Sequence, residues 1–175
     1  MFVTAEDAEE REAIAAAAKG DRAAFGLLYT RYRRMVHAVV LATVPVGDAD
    51  DVVQDVFMIA MRRLQGLREV SSFGAWLAAI ARNESQRSRR RMREHVELPD
   101  VPMASRQEDE ADAQHVLATI RSLSSAYRET LLMRLIEGMT GPEIAAQTGL
   151  TPDSVRVNLH RGMRLLREAL ERGVR

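Results

Sequence analysis

Cysteine is absent from the 175 residues, so a disulfide framework and a thiolate metal site are both excluded. No apolar run approaches the roughly 18 residues of a membrane-spanning helix. The longest unbroken one, Ala75 to Ala81, is far too short, so no membrane insertion is expected. The first residues are acidic and lack the basic-then-apolar order of a signal peptide, which makes the cytoplasm the expected location. The four histidines, His37, His95, His115 and His160, are scattered without metal-ligand spacing. There is no phosphate-cradling glycine loop, and the carboxylates fall on solvated helix faces without a pocket. These absences argue against an enzyme and imply no metal and no cofactor.

Net charge is also absent: 25 basic residues balance 25 acidic ones, a total that by itself argues against a nucleic-acid binder. The distribution reverses that reading. Net charge is −4 over residues 1–21, +2 over 22–81, +5 over 82–93, −6 over 94–113 and +3 over 114–175. Both foldable blocks are basic, while the acid lies in the N-terminal stretch and one central stretch, and such segregation marks a DNA footprint better than the sum does. With 46% hydrophobic and 29% charged residues, a packed core is expected rather than disorder. The length suits one medium domain or two small ones.

Helical periodicity dominates and no alternating strand is evident. Thr4 is placed to cap a first helix that stops at Gly20, and Asp21 to cap a second. The second helix has an apolar stripe of Phe25, Leu28, Tyr29, Tyr32, Val36, Val39, Val40 and Thr43. Pro45 and Gly47 should break it. A third helix from about Asp48 buries Val52, Val53, Val56, Phe57, Ala60 and Leu64, turns Asp50, Asp51, Gln54, Asp55 and Met58 outward, and ends at Gly66. Ser71 or Ser72 should cap a fourth helix with Phe73, Leu77, Ile80 and Ala81 inside. Residues 94–112, with Pro99, Pro102 and seven acids, read as an extended linker. Fully stretched, it would span about 60 Å.

The C-terminal block opens with a helix bearing Val116, Leu117, Ile120 and Leu123. A second, restarted by Ser124 or Ser125, has Tyr127, Leu131, Leu132, Leu135 and Ile136 inward and stops at Gly138. Thr140-Gly-Pro-Glu143 then spells a capping box, and Gly149 a left-handed C-cap. Thr151-Pro152-Asp153 opens the last helix with a capping hydroxyl, a proline and an acid. A short helix, a glycine turn and a longer helix is the layout of a helix-turn-helix. Ala145 and Ala146 permit the close crossing, with Ile144, Leu150, Val155 and Leu159 as the wedge. The last helix then exposes Ser154, Arg156, Val157, Asn158, His160 and Arg161, a face suited to a major groove, where Arg takes a guanine edge and Asn an adenine edge. The plainer alternative is a helical hairpin with a solvated basic face. On the fourth helix, Trp76, Asn83, Arg87 and Arg90 share one face with Gln86 beside them, the chemistry of a surface that stacks and reads unpaired bases. Trp76 is either a wall of that surface or core.

The order Asp48-Ala-Asp-Asp-Val-Val-Gln-Asp-Val-Phe57 followed by Phe73-Gly-Ala-Trp-Leu-Ala-Ala-Ile-Ala-Arg-Asn83 resembles the second region of bacterial sigma factors. The stretch Glu137-Gly-Met-Thr-Gly-Pro-Glu-Ile-Ala145, continuing through Val155-Arg-Val-Asn-Leu-His-Arg161, resembles their fourth region. The resemblance, over residues 20–93 and 113–172, is to the extracytoplasmic-function subfamily, which keeps only these two domains and a linker. It implies an all-α chain divided into an acidic extension (1–20), a region-two domain (21–93), a flexible acidic linker (94–112) and a region-four domain (113–175). It also implies a transcription initiation factor that carries RNA polymerase to promoter DNA. By position, Asp50, Asp51, Gln54 and Asp55 would dock on the polymerase clamp helices. Arg68, Ser71 and Ser72 would capture a flipped base, Asn83, Gln86 and Arg87 would face the proximal promoter element, and Arg156, Val157, His160 and Arg161 would read the distal one.

The expected partners are core RNA polymerase, promoter DNA and an anti-sigma factor, with the free chain a monomer. The acidic segment 94–112 and the inner domain faces should also permit a closed arrangement in which a partner helix occludes the polymerase- and DNA-binding surfaces, and that segment could also fold against the basic runs by itself. The rival is a helix-turn-helix regulator that is not a polymerase subunit. It would use residues 113–172, leave the first domain without a purpose, and usually dimerise on two half-sites.

Overall fold

The computed structural model describes residues 5–66, 73–95 and 108–173. These residues form α1 (Ala5–Ala18), α2 (Arg22–Leu41), α3 (Val46–Arg63), α4 (Phe73–His95), α5 (Glu108–Ser122), α6 (Ser125–Leu135), α7 (Gly141–Thr148) and α8 (Pro152–Gly173). A 3₁₀ turn, Leu64–Gly66, extends α3, and no strand occurs among the described residues. Among the described residues no helix is long and apolar enough to cross a membrane.

The local signals act largely as their chemistry dictates. Gly20, at φ +96°, ends α1 in a backbone region that only glycine enters without strain. Asp21 caps α2 by accepting the Ala23 and Ala24 amides at 2.8 and 3.1 Å. Thr4, Ser71 and Ser72, the other expected caps of the first half, lie outside the described residues. α3 starts at Val46, two residues before the expected Asp48, with Pro45 at its N-cap and no side-chain cap. Proline fixes φ close to the helical value and so begins the helix that it was expected only to separate. Gly47 is then a residue of the first turn rather than a breaker. Residues 108–112, expected in the extended linker, are instead the start of α5. Acidic residues are favoured there by the positive end of the helix dipole.

α2 is the axis of the molecule. It packs against α1, α3 and α4 and, across the molecule, against α6 and α7. Burial therefore spreads beyond one stripe: Met35, Ala38 and Leu41 are inside with the expected Leu28, Tyr32, Val36, Val39 and Val40. A helix covered on several sides must be apolar on several sides. Tyr29 is partly exposed, leaning on Phe57 with 4.6 Å between ring centroids. The α1 helix is integral to this unit through Ile14 and Ala17, and the Tyr32 hydroxyl donates to Glu10 at 2.5 Å. Burial and the Glu10 carboxylate hold the Tyr32 phenol far above its ordinary pKa.

In the second half, α6 lies against α8 at a glycine. A Cβ at Gly162 would meet Leu131 side-chain carbons at 3.2 Å. Ile120, Leu131, Leu132, Ile144 and Val155 are buried as expected. Leu135 and Ile136 are not: they are 44% and 51% exposed, and Met133 and Met139 fill the interior instead. The reason is the left-handed Gly138 (φ +63°), which folds the chain back so that Met139 donates its amide to the Met133 carbonyl at 2.9 Å.

Candidate nucleic-acid interface

Three surfaces hold the residues singled out from the sequence. On α3, Asp50, Asp51, Gln54, Asp55 and Met58 are all exposed, as the periodicity requires. Asp50 is engaged by Arg33 of α2 at 3.2 Å. Met58 and Met61, each 48% exposed, place apolar surface beside the acids. The face is therefore mixed, acid flanked by flexible thioethers, and Met61 was not among the expected residues.

On α4, Phe73 anchors the helix by edge contact with Tyr32 (5.1 Å between centroids) and tilts against Trp76 at 5.6 Å. Trp76 is half-buried, packed on Phe73 and partly open to solvent. Asn83, Gln86, Arg87 and Arg90 are exposed, and Arg87 is 3.5 Å from Glu84 one turn back. Ser85 and Ser88 are buried on the opposite face, which aims the polar row outward, and Ser85 donates to the Ala81 carbonyl at 2.7 Å. Arg68, Ser71 and Ser72 lie outside the described residues.

The helix-turn-helix comprises α7 and α8. The Thr140 hydroxyl accepts the Glu143 amide at 3.4 Å, and the Glu143 carboxylate accepts the Thr140 amide at 2.6 Å. Hydrogen bonding to the Glu143 carboxyl, first from the Thr140 amide and then from the Thr140 side chain, holds it below its usual range. Gly149, at φ +74°, makes the turn, and the Ser154 amide donates to Thr151 Oγ1 at 3.1 Å. Ile144 and Val155 form the buried wedge, with Leu159 partly covered. Leu150, expected in the wedge, is 39% exposed. It lines an open apolar groove of about 940 Å3 with Pro142, Ala146, Pro152 and Leu159.

Arg156, Val157, His160 and Arg161 project from α8 on one exposed face, and Arg156 lies 3.2 Å from Asp153. Ser154 and Asn158 depart from the expected exposure. Ser154 is half-buried and bonded to the Thr151 hydroxyl at 2.8 Å. Asn158 is half-buried in a crevice of about 240 Å3 that it shares with Arg82, Glu129 and Thr148. Arg82 itself went unremarked in the sequence. Its guanidinium donates to both Glu129 oxygens, at 2.9 and 2.8 Å, and that pairing raises its pKa. A contact 47 positions apart leaves no trace in local periodicity. Among the described residues no cluster of three acidic or histidine side chains is placed to hold a metal.

Comparison with known proteins agrees with this layout. The model of Sigma-70 region 2 matches residues 28–94, and that of Sigma-70 region 4 matches residues 114–166. The ECF RNA polymerase sigma-E factor of Escherichia coli K12 is 31% identical over 174 residues, covering 89% of each chain. The RNA polymerase sigma factor CarQ of Myxococcus xanthus is 29% identical over 86% of this chain and 91% of its own. Among solved structures, CnrH in complex with the cytosolic domain of CnrY matches with a TM-score of 0.63 at 29% identity, over 93% of this chain and 97% of that one. The sigma factor RpoE in complex with the anti-sigma factor NepR, from Bartonella quintana, matches with a TM-score of 0.51 at 26% identity, over 83% of this chain and 94% of its own. The chain belongs to the extracytoplasmic-function subfamily of RNA polymerase sigma factors, which bind core polymerase and direct it to promoters.

Proposed function

We propose a division of labour among the three surfaces. The acidic and thioether face of α3 (Asp50, Asp51, Gln54, Asp55) docks on core RNA polymerase. The row on α4 (Trp76, Asn83, Gln86, Arg87), with Arg68, Ser71 and Ser72 before it, engages the proximal promoter strand as it opens. The α8 face (Arg156, Val157, His160, Arg161, with Ser154 and Asn158 at its edge) reads the distal element as duplex. The first functional domain is built on residues 21–93 with α1 packed onto it, the second on residues 113–175 with α5 beginning at Glu108, and the chain between His95 and Glu108 connects them. The protein works in the cytoplasm, carries out no catalysis of its own, and is monomeric when free. An anti-sigma factor holds it in reserve, a reading supported by the complexes of CnrH and of Bartonella RpoE.

The observation that carries this reading is the exposure of two separate polar rows, one on each helical unit. A base-specific bidentate contact gives about 1–3 kcal/mol of discrimination, whereas a phosphate contact weakens all sequences alike. Unstacking a base costs a few kcal/mol that the α4 surface must offset. Run-off transcription with core polymerase on duplex and pre-melted templates tests the division. Alanine at Arg156 or Arg161 impairs closed-complex binding on both templates. Alanine at Asn83 or Arg87 spares duplex binding, blocks opening, and is partly rescued by the bubble. If both sets fail alike on both templates, the division is wrong.

A further inference from the structure

Sulfur in this chain is all thioether: nine methionines and no cysteine. No thiolate is present to take an oxidant first, so the methionines carry the sulfur chemistry. Burial sorts them. Met35, Met133 and Met139 are sealed, at 1% exposure or less, and Met92 packs partly against the core. Met163 is 37% exposed, and Met58 and Met61 are 48% exposed each. Met1 and Met103 lie outside the described residues. Among the described residues the two most open thioethers therefore sit three positions apart on one helix, α3. Asp51, Asp55 and Met58 follow one another at steps of four and three, and Gln54 and Met61 at a step of seven, so the thioethers continue the acidic row along one stripe. The opposite face of α3 holds Val52, Val53, Val56, Phe57 and Ala60 in the core. A change at Met58 or Met61 alters the surface and leaves that core in place.

We infer that Met58 and Met61 form a reversible oxidation site through which hydroperoxides lower the affinity of the free chain for core polymerase. The inference rests on the polymerase-docking role proposed above for α3. Each event is a two-electron oxidation of sulfur. The thioether attacks the hydroxyl oxygen of the hydroperoxide and the O–O bond breaks. That oxygen stays on sulfur as the sulfoxide, and its proton passes to the departing oxygen, which leaves as water or an alcohol. The side chain stays neutral, but a pliable apolar end gains a strong hydrogen-bond acceptor. A sulfoxide pressed into the interface must find a donor there or lose its water without compensation. Once α3 is seated on polymerase the thioethers are covered, so the modification gates association and spares chains already bound. The three sealed methionines keep their thioethers, so the chain stays folded and reduction of the sulfoxides restores it.

The test treats the full chain with hydrogen peroxide and places each added oxygen by peptide mass spectrometry. Met58 and Met61 should gain oxygen before Met35, Met133 and Met139. Binding to core polymerase in competition assays should then fall by about tenfold or more while the helical dichroism holds. Methionine sulfoxide reductases for the two sulfoxide epimers should restore it. With core polymerase bound beforehand, both positions should be protected. Met58→Leu with Met61→Leu keeps apolar bulk, takes up no oxygen there and retains Met163. Compared with its own untreated form, it should hold its affinity through the same treatment. Met58→Gln with Met61→Gln sets a permanent polar end and should bind as weakly as the oxidised parent. Undiminished affinity with both sites oxidised, an equal loss in the leucine pair, or oxidation of the sealed methionines first overturns the inference. Protection by polymerase separates that failure from failure of the docking assignment. If polymerase leaves both methionines open and Asp51→Arg with Asp55→Arg binds normally, α3 is not the docking face and both readings fall. Normal protection with full affinity of the oxidised chain sinks the oxidation site alone.

Discussion

Thr140 offers a measurable test of how the helix-turn-helix is held in place. Thr140→Ala deletes the oxygen that accepts the Glu143 amide at 3.4 Å, leaving one more unpaired donor at the start of an eight-residue helix. The other half of the box, Glu143 on the Thr140 amide at 2.6 Å, survives. Losing an N-cap costs about 0.5–2 kcal/mol, and so long a bond puts this case in the lower half, about 0.5–1 kcal/mol. A chain of 175 residues unfolds with an entropy of about 0.37 kcal/mol/K, so the melting temperature should fall by about 1.5–3 °C. Glu143→Ala removes the other half, and its effect carries a pH signature. The folded carboxyl is held below its ordinary value of 4.5, chiefly by the Thr140 amide. Its contribution is therefore fully present above the ordinary value and lost as pH falls through the depressed folded one. In thermal melts followed by circular dichroism, the gap between parent and Glu143→Ala should narrow between about pH 7 and about pH 3. An unchanged melting temperature for Thr140→Ala, or a Glu143→Ala gap of constant size, would refute the reasoning.

Three further outcomes are expected. Ile144→Ala empties a fully buried site between α7 and α8 and should cost about 2–5 kcal/mol, read as a lower midpoint in urea. Tyr32→Phe removes the hydroxyl that donates to Glu10 and should cost about 1.5 kcal/mol. Because burial keeps that phenol protonated, the loss should be equal at about pH 6 and about pH 9. Asp51→Arg with Asp55→Arg reverses the α3 face and should weaken binding to core polymerase by about tenfold or more in competition assays, with the helical dichroism unchanged.

The features legible in the sequence are those written in neighbouring residues. Asp21, the Thr140–Glu143 box and Gly149 each declare a helix end because the capping chemistry lies within three or four positions. The exposed rows on α3, α4 and α8 follow from the helical period alone. What the sequence conceals are consequences of distance. Met35, Ala38 and Leu41 go inside because α2 is covered by helices far along the chain. Leu135 and Ile136 come out because a left-handed Gly138 redirects the chain just after them. Asn158 reads as one more member of an exposed row until Arg82 is found across the crevice. The helical stretch before residue 113 was hidden for another reason: its acids suit a helix start and a solvated linker equally well.

Trp76 is the one tryptophan of the chain, and its half-buried indole sits next in sequence to Ala75, whose Cβ faces Gly149. The same ring belongs to the α4 row proposed to meet the opening promoter strand. On that proposal a nucleobase stacked upon it would quench its emission without any added label, and rapid mixing with polymerase and promoter would time the capture of that base.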